Sequence, residues 1–246
     1  MRWNENVRLR TVVSFLILGA FFAITVWGIQ AVKSGKKISG APAPLYRGYV
    51  LNQKVWQILQ SARRASRAGD KNLTGIPPRV NGGIGLRSEI DPARYSIKVE
   101  SPQKNLLLPI EAFRLLPKTQ SETEFRCIEG WSEDITYAGA KFSDFMRIYD
   151  LGKKSDGTYY AYVGLETPDG EYYVSIDMES MLHDQTLLTY EMNGAPISLI
   201  NGAPLRLLIP IKYGIKSLKR IGKISFSDTR PPDYWAERGY DWYSGL

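Results

Sequence analysis

The chain has 246 residues, of which 43% are hydrophobic and 23% charged, and its formal net charge is +7. This length and composition fit one medium-sized domain with an appendage, and they exclude a disordered chain and a disulfide-stapled miniprotein. The chain contains one cysteine, Cys127, and one histidine, His183. We therefore expect no intramolecular disulfide, no zinc site, no haem and no iron–sulfur cluster, because the protein ligands for them are missing.

The positive charge lies mainly near the N-terminus. Residues 1–40 contain six Lys or Arg and one Glu, a net charge of +5, so residues 41–246 carry the remaining +2. The basic residues flank one apolar segment and do not cover the surface of a domain. This distribution predicts no nucleic-acid partner.

The apolar segment covers residues 11–32 and contains no charged residue. A bilayer core of about 30 Å requires roughly 20 apolar residues in a helix, so this segment is long enough to cross it. A signal peptide usually has an apolar region of about 7–15 residues followed by a small-residue cleavage site. Here Lys33, Lys36 and Lys37 follow a longer run. We predict an uncleaved, single-pass membrane anchor, with a cleavable signal peptide as the alternative.

The region after the anchor is predicted to contain a linker and a basic helix. Residues 34–48 are rich in Gly, Pro and Ser and indicate the linker. A helix is predicted over residues 52–69, with Asn52 as its N-cap and Gly69 as its stop. Its apolar stripe consists of Val55, Leu59 and Ala62. Its arginines lie largely on another face and are Arg63, Arg64 and Arg67. This amphipathic helix either contacts lipid headgroups or a partner protein, or it is a connecting helix with a solvated face.

The remaining chain is predicted to form an α+β domain with a mixed or mostly antiparallel sheet and short helices. The predicted strands cover residues 95–100, 159–166, 172–176, 205–209 and 223–226, and the predicted helices 110–116 and 141–149. The helix over residues 141–149 presents Phe142, Phe145 and Met146 on one face. The predicted organisation is an anchor and linker start over residues 1–40, a linker and basic helix over 41–75, and the domain over 76–246.

Cys127 is the residue whose chemistry is hardest to assign from the sequence. The chain has no G-x-S-x-G motif and no Walker-type loop, and the glycine-rich residues 81–85 indicate only a turn. An isolated cysteine is usually a small buried apolar residue. It can also ligate a metal if a cofactor supplies the other ligands.

Three cations near the end of the chain form either a basic rim beside a substrate or a solvated strand edge: Lys212, Lys216 and Arg220.

Five blocks of sequence resemble the molybdopterin-binding domain of the sulfite oxidase superfamily. The resemblance covers roughly residues 76–240 and is strongest to the branch with the catalytic subunit of bacterial periplasmic methionine sulfoxide reductase. The blocks occur in one order: FRCIEGWS (125–132), YVGLET (162–167), MLHDQTLLTYEMNGAPI (181–197), NGAPLRLLIPIKYGIKSLKRI (201–221) and RPPDYW (230–235).

The resemblance implies the cofactor and the residues that hold it. Cys127 would be the protein ligand to molybdenum, and Glu129 and Trp131 would lie beside the metal. The pterin dithiolene would supply two more sulfur ligands, so a single cysteine suffices. A further set would hold the pterin and its phosphate: Asn81, Thr167, His183, Asn201, Arg206, Ser217, Leu218 and Lys219.

The sequence departs from the family pattern at three points. Asp184 follows His183 where the family usually has Pro, and Asn201 stands where sulfite oxidases often have His. The chain also lacks the long insertion that the sulfoxide reductase branch carries before the His block. That insertion helps to shape the substrate entrance, so the resemblance leaves the substrate open.

The expected function is two-electron oxygen-atom transfer to or from a small sulfoxide-like or sulfite-like substrate. Electrons would pass through a separate membrane partner, a cytochrome b or a quinone-linked protein. The family places the domain in the periplasm, although equal numbers of basic residues before and after the anchor leave a cytoplasmic side open. The alternative function is a catalytically inactive, membrane-tethered binding or assembly module that keeps the fold.

Overall fold

The structure, a computed structural model, describes residues 2–38, 40–60 and 73–246. Its α-helices are α1 Arg2–Ser34, α2 Ala43–Gln60, α3 Ile110–Arg114, α4 Phe142–Tyr149 and α5 Met178–Met181. Its strands are β1 Lys37–Ile38, β2 Ala41–Pro42, β3 Ser96–Glu100, β4 Asn105–Pro109, β5 Lys118–Arg126, β6 Ser132–Lys141, β7 Tyr162–Glu166, β8 Tyr173–Asp177, β9 Leu187–Met192, β10 Ala195–Pro196, β11 Arg206–Leu208 and β12 Lys223–Ser227.

Helix α1 contains the predicted apolar segment. Among the described residues, it is the helix long and apolar enough to cross a membrane, over Val7–Ser34, with a mean hydropathy of 2.4. No residue of its most apolar window is buried, so this is not a core helix of the domain. A signal sequence near the N-terminus can meet the same length and hydropathy criteria, and both interpretations therefore stay open.

Helix α2 begins earlier than predicted. Its first residue is Ala43, so the predicted start at Asn52 is wrong, and the predicted linker contains a β-hairpin and the first six residues of this helix. Pro44 is compatible with the first turn, because N–H groups there have no intrahelical acceptor. The predicted helix end at Gly69 and its three arginines lie outside the described residues.

Two five-stranded sheets form the domain. One has the order β10-β9-β6-β5, with β11 also pairing with β9, and all its pairs are antiparallel. The other has the order β4-β3-β12-β7-β8, and here β12 pairs in parallel with β3. The predicted α+β class with mixed sheet pairing and short helices is confirmed.

The main hydrophobic core joins the two sheets. It contains Val163 and Ile224 from one sheet and Ala140 and Leu188 from the other, together with the predicted apolar face of α4. Strand residues alternate between faces, so Ile135 and Tyr137 of β6 point to the opposite side from Ala140. The first sheet therefore has a second apolar surface, and the candidate site lies on that surface.

The predicted basic rim is wrong. Lys212, Lys216 and Arg220 are only 1–3% exposed, so they form neither a rim nor a solvated strand edge. The Lys216 ammonium pairs with the buried carboxylate of Asp233, and Lys212 Nζ lies 3.1 Å from Asp177 Oδ1. These carboxylates belong to β8 and the C-terminal segment, far from the lysines in the sequence, so local patterning does not reveal the pairs.

Replacing Lys216 with methionine is expected to destabilise the fold by about 3–5 kcal/mol, because it leaves Asp233 buried without its counter-ion. Asp233 also accepts hydrogen bonds from Ser175 N and Ala236 N, which keep its carboxylate buried. The measurement is denaturant-induced unfolding of the full chain in detergent. The control is Lys223→Met, whose ion pair with Glu166 is partly exposed and should cost about 0–1 kcal/mol. Equal losses in both variants would contradict the expectation.

Candidate functional site

A cavity of about 200 Å³ lies against the second apolar surface of the first sheet. The lining residues come from the segment before β3, from strands β5, β6, β9 and β11, from the β5–β6 and β7–β8 turns, from the loop after β11 and from the C-terminal segment. The lining includes seven of the predicted site residues, namely Asn81, Cys127, Glu129, Trp131, Arg206, Ser217 and Lys219.

The tight turn between β5 and β6 presents Cys127 to the cavity. Arg126 and Ser132 are paired across the hairpin, Cys127 N donates to Trp131 O at 2.9 Å, and Gly130 N donates to Cys127 O at 3.1 Å. Gly130 has a φ of +89°, a conformation that favours glycine. The thiol is free and Cys127 is 7% exposed. The turn thus holds a sulfur atom at the cavity wall.

Polar groups surround this sulfur at the cavity mouth. Asn81 Nδ2 lies 3.5 Å from Cys127 Sγ and 3.1 Å from Glu129 Oε2. The same carboxylate oxygen accepts a hydrogen bond from Trp131 Nε1 at 3.1 Å. The Arg79 guanidinium lies 4.4 Å from the centre of the Trp131 ring, a cation–π contact. The predicted metal ligand Cys127, the two residues predicted beside the metal, and Asn81 therefore form one hydrogen-bonded group.

Arg206 contributes a buried cation to the cavity. It is 4% exposed, and its NH1 donates to Asn201 O at 3.0 Å. Its Nε is buried and has no hydrogen-bond partner in the described structure. The Tyr137 hydroxyl, also in the lining, is likewise buried without a partner, and burial raises the pKa of Tyr137. Buried polar atoms are rarely left unsatisfied, so these two groups indicate a ligand or water in the cavity.

Lys219 adds a second cation and positions the segment that carries Asn81. Its Nζ donates to the carbonyls of Asn81 and Gly82. Burial, and then the nearby charge of Arg206, lower the pKa of Lys219 from 10.5 to about 8. Ser217, two residues earlier, is buried and accepts a hydrogen bond from Ile209 N at 3.3 Å through its hydroxyl.

Four predicted site residues do not belong to the cavity lining. Thr167 is buried in the β7–β8 turn, where its hydroxyl donates to Asp169 Oδ1 at 2.6 Å. Asn201 is buried and reaches the site through its backbone carbonyl, which accepts from Arg206. The side chain of Leu218 lies in the main core. His183 Nδ1 accepts from Gln185 N at 3.2 Å. Their contact with a cofactor stays a prediction.

Several lining residues were not predicted as site residues. Arg79 and Glu133 stand together at the mouth, where Arg79 N donates to both carboxylate oxygens of Glu133 at 3.0–3.1 Å. Tyr137 comes from β6, a strand that the sequence analysis missed. Trp235 lies in the quoted block RPPDYW, so that motif was a signal that could have identified it.

The site offers one thiol and three cations, of which Arg79 is exposed. Among residues 2–38, 40–60 and 73–246, no group of three or more His, Cys, Asp or Glu side chains could hold a metal ion. A metal at Cys127 would therefore need other ligands from a cofactor. Arg206 and Lys219 are suited to a phosphate, Arg through its planar fork and Lys as a point charge.

The chain is similar in sequence to known oxidoreductase subunits. The chain is 32% identical over 158 residues to a putative protein-methionine-sulfoxide reductase subunit YedZ1 of Azospira oryzae, covering 64% of this chain and 58% of that protein. It is 30% identical over 171 residues to the protein-methionine-sulfoxide reductase catalytic subunit MsrP of Burkholderia mallei, covering 63% and 51%. The matches thus span about half the length of these relatives.

A solved structure has a similar fold. The sulfane dehydrogenase SoxCD of Paracoccus pantotrophus superposes with a TM-score of 0.51 at 18% identity, covering 58% of this chain and 40% of that chain. At this identity the likeness concerns the fold alone.

The family match covers most of the site region, but not Arg79, Asn81, Gly82 or Tyr240. Residues 84–235, more than half of the chain, match the family described as oxidoreductase molybdopterin binding domain. They include the Cys127 turn, Arg206 and Lys219. The expected resemblance to the sulfite oxidase type is therefore confirmed, and this chain belongs to the molybdopterin-binding oxidoreductase family.

Proposed function

We propose that this oxidoreductase carries out two-electron oxygen-atom transfer on a small sulfoxide-like or sulfite-like substrate. The observation that carries the proposal is the cavity, which brings the free thiol of Cys127 together with Asn81, Glu129 and Trp131 and with two cations. When bound, the molybdenum–pterin cofactor would supply a two-electron redox centre able to exchange an oxygen atom.

The residues present fit this cofactor. Cys127, the one thiol in the lining, suits a metal whose other ligands come from a dithiolene. The buried Arg206 Nε lacks a partner, as expected if a phosphate or pterin acceptor completes its hydrogen bonding. Gly202 packs directly against Lys219, and a side chain at position 202 would displace this lysine, since its Cβ would lie 2.7 Å from Lys219 Cβ. Cys127 would hold the metal, and Arg206 and Lys219 the phosphate.

The cavity mouth would position the substrate. Glu129 accepts two N–H bonds, which hold its carboxylate and the Trp131 ring in fixed places. The Arg79 guanidinium, exposed above Trp131, can attract a polar oxygen of the substrate. The names of the relatives favour a sulfoxide as the oxygen donor, with sulfite as the competing substrate.

The proposed electron route passes through the membrane. Helix α1 would anchor the domain on the periplasmic side, and a membrane cytochrome b or quinone-linked protein would exchange electrons with the site. Support for this route comes from the length and apolar character of α1.

The deciding measurement combines composition and turnover. Full-length protein in detergent should contain about one molybdenum and one pterin per chain. It should also reduce a sulfoxide with a reduced dye, or oxidise sulfite with an oxidised one. Protein that lacks both metal and pterin, although made in a host that synthesises the cofactor, would contradict the proposal.

Removing residues 1–34 is expected to spare dye-coupled turnover and abolish turnover driven by membrane quinol. The deletion stops before β1, because Lys37 and Ile38 pair with Pro42 and Ala41 and the hairpin should stay intact. The measurement compares both activities in membranes reconstituted with full-length and truncated protein. Undiminished quinol-driven turnover by the truncated chain would argue against the anchor's role.

Pterin uptake by cofactor-free protein is expected to fall as the pH rises through about 8. Lys219 is charged below that pH and neutral above it, so its attraction for the pterin phosphate is lost. The measurement is pterin fluorescence after loading at pH 7 and pH 9. Lys219→Arg should remove most of this pH dependence, because arginine stays protonated. The same pH dependence in Lys219→Arg would show that another group causes it.

A further inference from the structure

Helix α2 is attached to the domain by one face. The Tyr49 hydroxyl donates to Gly239 O at 3.0 Å, and Arg230 NH2 donates to the Tyr46 hydroxyl at 3.4 Å. Gln53, one turn after Tyr49, is half-buried on the same face. These contacts join α2 to the C-terminal segment of the chain.

The C-terminal loop that receives α2 also forms a wall of the cavity. Trp235 and Tyr240 line the cavity, and their ring centres lie 5.0 Å apart in edge contact. Gly239, which accepts the hydrogen bond from Tyr49, lies between them in the sequence. Helix α2 therefore lies directly behind part of the cavity wall.

The opposite side of α2 exposes a stripe of large apolar side chains. Leu51, Val55 and Leu59 follow each other at a spacing of four residues and are 65%, 45% and 53% exposed. At 100° per residue, Leu51 and Val55 lie across the helix from Tyr46 and Gln53. The domain therefore does not cover this stripe.

The charged side chains of α2 itself are all positive, and Asp241 of the C-terminal segment accepts a hydrogen bond from Asn52 on the other side of the stripe. Arg47 and Lys54 are exposed along one side of it, and α2 contains no acidic residue. Residues 61–72 add four Lys or Arg and one Asp to the sequence that follows. An apolar stripe flanked by basic residues is the pattern of a helix that lies in the interface of an anionic bilayer.

The position of α2 in the chain supports the same environment. Its N-terminus follows α1 through the short β1–β2 hairpin, and the end of α1 is in contact with the start of α2. If α1 crosses the bilayer, the chain leaves the membrane only a few residues before α2 starts. The stripe is then held near the headgroups by a covalent tether.

We propose that α2 lies flat in the bilayer interface, with Leu51, Val55 and Leu59 in contact with acyl chains and Arg47 and Lys54 with anionic headgroups. This inference rests on the proposed membrane anchoring by α1. It places one wall of the cavity, through Gly239 and its neighbours, close to the membrane surface. The occupant of the stripe is lipid; no protein partner is required to cover it.

The test uses photo-crosslinking in the full-length chain. Benzoylphenylalanine is introduced singly at Leu51, Val55 or Leu59, and the protein is reconstituted in phosphatidylcholine vesicles with or without phosphatidylglycerol. Position 16 on α1 reports the anchor, and Leu115, an 86% exposed leucine of the globular domain, is the matched control. Lipid adducts are detected by mass spectrometry.

We expect lipid adducts at the three stripe positions and at position 16, and none at position 115. Adducts on the stripe, but not at position 16, should decrease without phosphatidylglycerol or at high salt, because headgroup attraction is then lost or screened. Adducts at position 16 without adducts on the stripe would overturn the inference. The same crosslinking is repeated in native membranes, and an adduct there between the stripe and another protein would also overturn the inference. No adduct at position 16 would instead show that the proposed anchoring fails.

Discussion

Replacing Cys127 with serine is expected to remove bound molybdenum and to lower turnover by more than about 100-fold. Loss of a residue that only supports a metal ligand typically costs about 10–100-fold, and the proposed ligand itself should matter more. Serine has nearly the same shape, but its hydroxyl is a poor substitute for a soft thiolate. The hydrogen bond from Cys127 N to Trp131 O joins two backbone groups and does not involve the thiol, so the β5–β6 turn should be retained.

The Cys127→Ser result needs a control in the same hairpin. Glu124→Gln alters a carboxylate that pairs with Arg126 and Ser132 outside the cavity lining. This variant should keep its molybdenum and its turnover. The measurements are molybdenum and pterin per chain, dye-coupled turnover and the circular dichroism spectrum. Full turnover in folded Cys127→Ser protein would reject Cys127 as the metal ligand.

Replacing Arg206 with methionine is expected to lower pterin affinity about 10- to 100-fold. A hydrogen bond to a charged group contributes about 1.5–3 kcal/mol, which corresponds to this range. Methionine fills similar space but provides no donor for a phosphate or for Asn201 O. Arg206→Lys keeps the charge and loses the planar fork, so its affinity should be intermediate.

Arg220 offers a matched control for Arg206. It is equally buried and its Nε likewise has no partner in the described structure, but its guanidinium donates to the carbonyls of Leu86, Ser88 and Leu199 and it lies outside the lining of the site cavity. Arg220→Met should destabilise the fold but leave the pterin content of folded protein unchanged. The measurement is pterin fluorescence and unfolding midpoint for both variants. Equal pterin content in Arg206→Met and Arg220→Met would show that Arg206 does not hold the cofactor.

Strands with clear alternation or turn signals were predictable. The hairpin of β7 and β8 was identified from its Pro-Asp-Gly turn, and α4 from the spacing of Phe142, Phe145 and Met146. Strand β5, which delivers Cys127 to the site, was missed. It is a sheet-edge strand of mostly polar residues, with Thr123 as its fully buried member. Its conformation depends on pairing with β6, and composition does not reveal that pairing.

Site residues were predictable where a sequence block carries them and unpredictable where the fold assembles them. Cys127, Glu129 and Trp131 share one turn, so one motif identifies all three. Arg79 comes from the irregular segment before β3, and its place over Trp131 is a contact between residues 52 positions apart in the chain. The burial of Lys212 and Lys216 is equally invisible, because burying a charge requires a partner whose position only folding sets.

The sequence by itself determined the chemistry available to this protein. It contains one thiol, one histidine, one apolar segment of membrane-spanning length, and the ordered blocks of a molybdopterin-binding domain. Composition limits what a chain can bind, and local periodicity follows from backbone geometry.

Only the tertiary structure decided which of these residues meet. It placed Asn81 beside Cys127 and Glu129, and it buried Arg206 Nε without a hydrogen-bond partner. It also buried the three cations that were predicted to lie at the surface. It also attached α2 to the loop that lines the cavity. These outcomes depend on contacts between residues far apart in the chain, which form only when the two sheets pack and bury their apolar faces.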